Sequence, residues 1–270
     1  MKAAEIWTSV QVLLILGKMS RTRAAAAESV TPEGLLRKAT LARTSGLRAK
    51  YAMRALDGGG RITRTTRAML LRQLYLSHME ARRFAEAYRV ACDIVALDVM
   101  QDVARQDAAR ACLGLGDHDG AVSHLRLASR VSPPSRRAFH LWTLGSVLYL
   151  AGRHRDAIGA LSRASRWGTT DRPLYQAQLA LSRLASGEPI APEELALLRE
   201  RLAEAPCGQG YGQFVLGELA FAARDFDAAR AYLRGFVRRS TGGRVALAVA
   251  LSGEIARARR LLARIPRKKP

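Results

Sequence analysis

The stretch LGLGDHDGAVSHLRLASRVSPP (113–134) is written again, in the same register, as YLAGRHRDAIGALSRASRWGTT (149–170). Gly116, Ala121, Leu125 and Ala128 return 36 residues on as Gly152, Ala157, Leu161 and Ala164, and His118 returns as His154. Two further steps of 36 carry Gly145, Ala157 and Leu161 to Gly217, Ala229 and Leu233. A step back of 34 carries Ala121 to Ala87, inside EARRFAEAYRVACDIVALD. A period of this length constrains the fold strongly. Each unit is one supersecondary element that cannot bury its apolar face alone, so copies must stack on one another.

Within a unit the residues spell a helix, a turn and a second helix. Leu141, Leu144, Gly145 and Leu148 sit at i, i+3, i+4 and i+7, one face of a first helix. Gly116 and Gly152 mark the turns. Ala157, Leu161 and Ala164 make a second helical face, with small Ala157 where two helices approach closely. Pro133 stops the unit before it, because proline cannot continue a helix. Weaker pairs are legible over 33–60, closed by DGGG, and over 172–206, where Pro192 opens a helix with Glu193 and Glu194 in its first turn. A shortened last pair repeats the small-then-apolar order at Gly253, Ala258 and Leu262. Up to seven pairs and no strand pattern predict an all-α solenoid of antiparallel helix pairs. The predicted organisation is an N-terminal helix or extension over 1–30 and one repeat domain over 31–270, clearest at 68–170 and 210–240.

At these residues the chain resembles the tetratricopeptide repeat family, whose unit runs roughly W-x2-L-G-x2-Y, A-x3-F, P over about 34 residues. Here one copy reads Leu141-x2-Leu144-Gly145-x2-Leu148, then Ala157-x3-Leu161. The copy before it has Ala108, Ala109 and Cys112, then Ala121-x3-Leu125 and Pro133. A later copy has Leu216, Gly217 and Ala220, then Phe226 and Ala229-x3-Leu233. The chain departs from the pattern at the first large aromatic, where Arg105 puts a charge, and at the Tyr and Phe positions. The resemblance implies a right-handed superhelix whose first helices line a concave face that grips peptides or partner helices.

Charge bears on the partner. Lys+Arg number 44 against Asp+Glu 23, a formal net charge of +21, and all but six of the basic residues are arginine. Such an excess suits an acidic partner, yet a GC-rich genome also inflates Arg and Ala together, so distribution has to decide. The three cysteines, Cys92, Cys112 and Cys207, form no C-x-x-C and suit a reducing compartment. Near the N-terminus, Ile6, Val10, Leu13, Leu14 and Gly17 fit one face of an amphipathic capping helix. An over-extended start and an export signal are the other readings; the apolar run from Val10 to Leu16 is too short to span a bilayer.

No catalytic, metal or cofactor chemistry is expected. None of the five histidines stands four residues from another His or Cys. DGGGRITRTTR lacks the order of a phosphate loop and follows no strand. His118 and His154 occupy a position that Phe84 and Phe226 hold in other copies, which reads as packing.

Two surfaces remain as binding candidates. Projecting the repeat onto the concave face selects Arg72, Gln106, Arg110, Trp142, Tyr149, Tyr211, Phe214 and Phe221, cationic in the early copies and aromatic in the later ones. A protein or peptide with an acidic end and an apolar anchor would suit such a groove; the alternative for these aromatics is packing between repeats. The second surface is basic. Residues 224–269 carry a net +10, with Arg230, Arg234 and Arg238 in one helical stripe and Arg257, Arg260 and Arg264 in another. These stripes could track the phosphates of RNA or DNA, or could be a solvated face. The leading expectation is a cytoplasmic, non-enzymatic adaptor that takes a protein partner in its groove. A basic protein binding RNA, DNA or the ribosome is the alternative. A peripheral envelope assembly factor is a third reading, should the N-terminus prove a signal or anchor.

Overall fold

The computed structural model describes residues 31–243 and 245–266. The proposed N-terminal helix, and Arg244, Arg267, Lys268 and Lys269, lie outside the described residues. The described residues contain fourteen α-helices, one 3-10 turn and no strand. They divide into two compact units that part between Val131 and Ser132.

The first unit holds α1 (Pro32–Leu41), α2 (Ser45–Asp57), α3 (Arg64–Glu80), α4 (Phe84–Ala96), α5 (Gln101–Leu115) and α6 (His118–Val131). The second holds α7 (Pro134–Leu150), α8 (His154–Trp167), α9 (Arg172–Ala185), α10 (Pro192–Glu204), α11 (Gly212–Ala222), α12 (Phe226–Thr241), α13 (Val245–Ala250) and α14 (Ser252–Arg264). In each unit, helices consecutive in sequence pack as pairs, and pairs stack on pairs.

Helix ends follow from local chemistry. Thr31, Thr44 and Thr63 each cap a helix, their hydroxyl oxygens accepting from the backbone N–H three residues on. Pro134 begins α7 after Pro133, whose missing N–H costs nothing at a first turn. The turn between paired helices repeats as one motif. After α5, Asp117 N–H donates to Cys112 carbonyl at 2.9 Å and Gly116 N–H to Leu113 at 3.2 Å, with Gly116 left-handed at φ 80°. After α7, Arg153 and Gly152 make the same two bonds to Leu148 and Tyr149, with Gly152 at φ 76°. The same closure follows α3 and α11, but the left-handed residue there is Arg82 (φ 57°) or Arg224 (φ 59°). Both bonds satisfy carbonyls that a helix end would otherwise leave orphaned.

Within a pair the contact is small against large. A Cβ on Gly145 would fall 2.4 Å from Cγ of Leu161, and one on Gly217 2.6 Å from Leu233. Only hydrogen fits there, so the two backbones of the pair draw together. In the earlier copies the same frame positions hold Ala109 and Leu125, and Tyr75 and Ala91, all buried; in the Tyr75 copy the larger residue stands on the first helix. Ala87, Ala121, Ala157 and Ala229 are wholly buried, at 0% exposure, as close helix contacts require. Between pairs, residues one repeat apart meet. The hydroxyl of Tyr88 lies 3.2 Å from Nε2 of His124, and the indole N–H of Trp142 donates to Oε1 of Gln178 at 2.6 Å. Phe84 packs against Gly114 of the following pair so closely that a Cβ on that glycine would lie 2.4 Å from its ring. His154 takes the corresponding place in its copy, its ring 5.5 Å from that of Tyr149.

Candidate functional site

The first helix of each pair carries the residues that the repeat frame singles out. In the first unit, α3 and α5 bring Arg72 and Asp107 together: Nε of Arg72 donates to Oδ2 of Asp107 at 2.7 Å. Arg110, one turn beyond Asp107, reaches its other oxygen at 3.7 Å and stays partly accessible. Arg72 and Gln106 are buried. Tyr75 lies in the same interior, where burial and the nearby Asp107 carboxylate push its hydroxyl well above the ordinary tyrosine range. The pairing explains how Arg72 can be buried at all, because a lone interior guanidinium would be prohibitive.

In the second unit, α7, α9 and α11 build a larger polar and aromatic cluster. Trp142 is its hub, stacked on Tyr175 at 5.9 Å and edge-on to Tyr211 at 4.9 Å, with Phe139 5.7 Å away. Tyr211 continues to Phe214 at 5.7 Å, and Phe214 to Phe236 at 5.3 Å. Gln178 accepts from Trp142 and, at 3.1 Å, from the hydroxyl of Ser146. Trp142, Tyr149, Tyr211 and Phe214 are all buried, and Phe221 is half-buried. Their aromatic surface is therefore committed mainly to holding successive first helices in register.

Beside this ladder lies one ionic cluster. Glu218 of α11 is only 4% exposed. Its Oε1 accepts from the hydroxyl of Tyr149 on α7 at 3.2 Å and from Nε of Arg257 on α14. A second guanidinium nitrogen of Arg257 lies 2.6 Å from the Tyr149 hydroxyl, and the guanidinium sits 4.6 Å over the Tyr149 ring. The other carboxylate oxygen, Oε2, is buried with no hydrogen-bond partner. Burial pushes the Glu218 carboxyl above its ordinary range, while the Arg257 charge pulls it back.

The basic stripes divide. Arg234, Arg238 and Arg260 are exposed. Arg230 is partly buried, tied to Asp227 at 2.9 Å and to the carbonyl of Pro266 at 2.9 Å. Arg264 lies 5.4 Å over the ring of Phe221. Arg257 leaves the stripe and turns inward to Glu218. Among the described residues, no three His, Cys, Asp or Glu side chains are placed to hold a metal, and no helix is long and apolar enough to cross a membrane.

Several members of these clusters escaped the reading of the sequence. A step of 36 back from Tyr211, which the projection does select, gives Tyr175 and then Phe139, and a step of 36 from Trp142 gives Gln178. Glu218 carried a different signal, a lone acid inside the apolar run FVLGELAFA.

No protein-family model and no curated protein sequence matches the chain. Solved structures do. The APC/C hetero-tetramer Cut9–Hcn1 matches over 98% of this chain and 60% of its own, at 14% identity and a TM-score of 0.50. A chain described as a kinesin light chain of Podosopora anserina with nearly identical TPR-like repeats matches over 76% of this chain and 95% of its own, at 16% identity and a TM-score of 0.43. The chain thus covers about three fifths of the Cut9–Hcn1 chain. The architecture is that of a divergent, tetratricopeptide-type helical-repeat solenoid.

Proposed function

We propose that this tetratricopeptide-type solenoid is a non-enzymatic scaffold that takes a protein partner, in helical form, on the face made by the first helices of its pairs. One observation supports the reading most. In the second unit that face already holds a helix: α14 lies against α7 and α11, with Arg257 between Glu218 and Tyr149. A surface that seats one amphipathic helix has the shape and the polar anchor to seat another. The sequence projection named Arg72, Gln106, Arg110, Trp142, Tyr149, Tyr211, Phe214 and Phe221 for such a face. Arg110 and Phe221 are the two with accessible side chains, and the other six act as its supporting wall. An acidic partner segment fits Arg110 in the first unit; the second unit's anchor is a carboxylate and calls for a cation.

Affinity capture from lysate with mass spectrometry, with and without nuclease, tests the reading. A nuclease-resistant protein lost on Arg110→Glu or Glu218→Gln supports it. A capture set unchanged by either variant refutes it. The variants must sit at accessible or ionic positions. Arg72→Glu would place two carboxylates together in the interior, and Trp142→Ala would empty the aromatic hub, so either would disturb the fold first.

A second reading keeps some support from the exposure of Arg234, Arg238 and Arg260. They would bind phosphates weakly and without sequence preference. Binding of labelled RNA or DNA that falls log-linearly with salt and is lost on changing all three to Glu would favour it.

A further inference from the structure

Helix α14 packs chiefly on α12, with Ile265 and Leu262 against Ala229, Phe226 and Phe221, and it reaches the first helices α7 and α11 over a smaller contact. Its apolar stripe, Ile255, Ala258 and Leu261, is buried. The six-residue α13 before it buries only Val249. Gly253 lies against Leu150 of α7, close enough that a Cβ there would meet Leu150 Cδ1 at 3.5 Å. Further along, Arg257 reaches across to Glu218 and Tyr149. Those two residues are 69 positions apart in sequence, and α14 is the element that supplies their cation.

The ionic fit is incomplete. Arg257 engages one oxygen of Glu218 and the Tyr149 hydroxyl, and leaves Oε2 buried without a partner. A guanidinium that approached the carboxylate as a fork would satisfy both oxygens, an arrangement stronger and more specific than a single contact. A buried acceptor without a partner is costly, so the present occupant leaves binding energy unused. The carboxylate and hydroxyl describe a site for an arginine-bearing helix, held at present by one whose arginine satisfies a single carboxylate oxygen.

We propose that α14 is a displaceable occupant of this face, and that a partner enters as a helix whose arginine replaces Arg257 between Glu218 and Tyr149. The proposal rests on the scaffold reading above and adds the chemistry of the partner and the means of control. The chain holds its own site closed, and a partner must outcompete α14.

Hydrogen exchange on the full chain tests the first half. The amides of α14 should exchange about tenfold or more faster than those of α7, α9 and α11, as expected of a segment that opens by itself. Exchange of all four helices at one common rate would overturn the proposal. The second half uses a labelled peptide of residues 251–266 added to the full chain carrying Arg257→Ala, whose own α14 is weakened. The peptide should bind that chain at least about tenfold more tightly than the unaltered chain, because a competing internal helix lowers apparent affinity. A peptide with Gln in place of Arg257 should not bind. Equal binding by both peptides, or none by either, would overturn the proposal. If Arg257→Ala fails to fold, Arg257→Lys serves, since a lysine ammonium lacks the two separated nitrogens that reach Glu218 and the Tyr149 hydroxyl together.

A tether separates this proposal from the reading it rests on. Leu150→Cys and Gly253→Cys, joined by a short bis-maleimide in a Cys92→Ser background, pin α14 to α7. Partner capture undiminished by the tether would sink displacement and leave the scaffold standing. Free opening and peptide binding with no protein ever captured would sink the scaffold reading and leave displacement standing.

Discussion

Residues Arg82, Gly116, Gly152 and Arg224 hold one position in four successive or equivalent turns, and all four are left-handed. Glycine adopts that conformation freely, whereas a side chain there costs roughly 1 kcal/mol or more. Arg82→Gly and Arg224→Gly should therefore each stabilise the chain by about 0.5–1 kcal/mol, read as a shift in urea midpoint without a change of slope. Gly116 and Gly152 were legible as turns in the sequence because glycine advertises a turn. Arg82 and Arg224 were not, because nothing in an arginine signals positive φ; only the repeat frame reveals them. Histidines carry a second residue-scale prediction. Burial lowers the pKa of His78, His124 and His154 below the ordinary 6.5, with Arg83, Arg105 and Arg257 respectively adding to the effect. Such groups are neutral in the fold and take up protons more readily once unfolded. The stability they contribute is present above about pH 6.5 and is lost as pH falls through their lowered values. The urea midpoint should fall between pH 7.5 and pH 5, and His154→Phe, the residue type used at that position in two other copies, should make the fall shallower.

Helix pairs were readable because their small and large residues recur in register. The Gly145–Leu161 and Gly217–Leu233 contacts are the physical content of that recurrence. Gly145→Val should cost about 1–3 kcal/mol in thermal or urea unfolding, since overpacking forces Leu161 aside. An equal substitution at Gly159, which has open space around its missing Cβ, should be neutral or slightly stabilising, since valine has the better helix propensity. What the sequence hid was the degree of burial of the first helices. In α7, Ala138, His140, Leu141, Trp142, Leu144, Gly145, Ser146, Val147, Leu148 and Tyr149 are all buried. A helix covered on every side shows no clean apolar stripe, so its polar and aromatic residues pattern like a wet groove. The second helices, covered on one side only, keep a clear stripe, and Ala157, Leu161 and Ala164 are buried where that stripe places them.

At the scale of the molecule, the excess of positive charge splits into two populations. Arg72 and Arg257 are each matched to a buried carboxylate, whereas Arg234, Arg238 and Arg260 face solvent. Total charge could not separate them, because the carboxylates that claim Arg72 and Arg257 lie 35 and 39 residues away in sequence. The same division sets the two functional readings apart, one on the face of the first helices and one on the outer arginines. The most direct test compares capture by the unaltered chain, by the Glu218→Gln chain and by a chain with Arg234, Arg238 and Arg260 all changed to Glu. The scaffold account predicts a protein partner that survives nuclease, is kept by the triple variant and is lost with Glu218→Gln. A partner lost to nuclease or to the triple variant, and kept by Glu218→Gln, would contradict it.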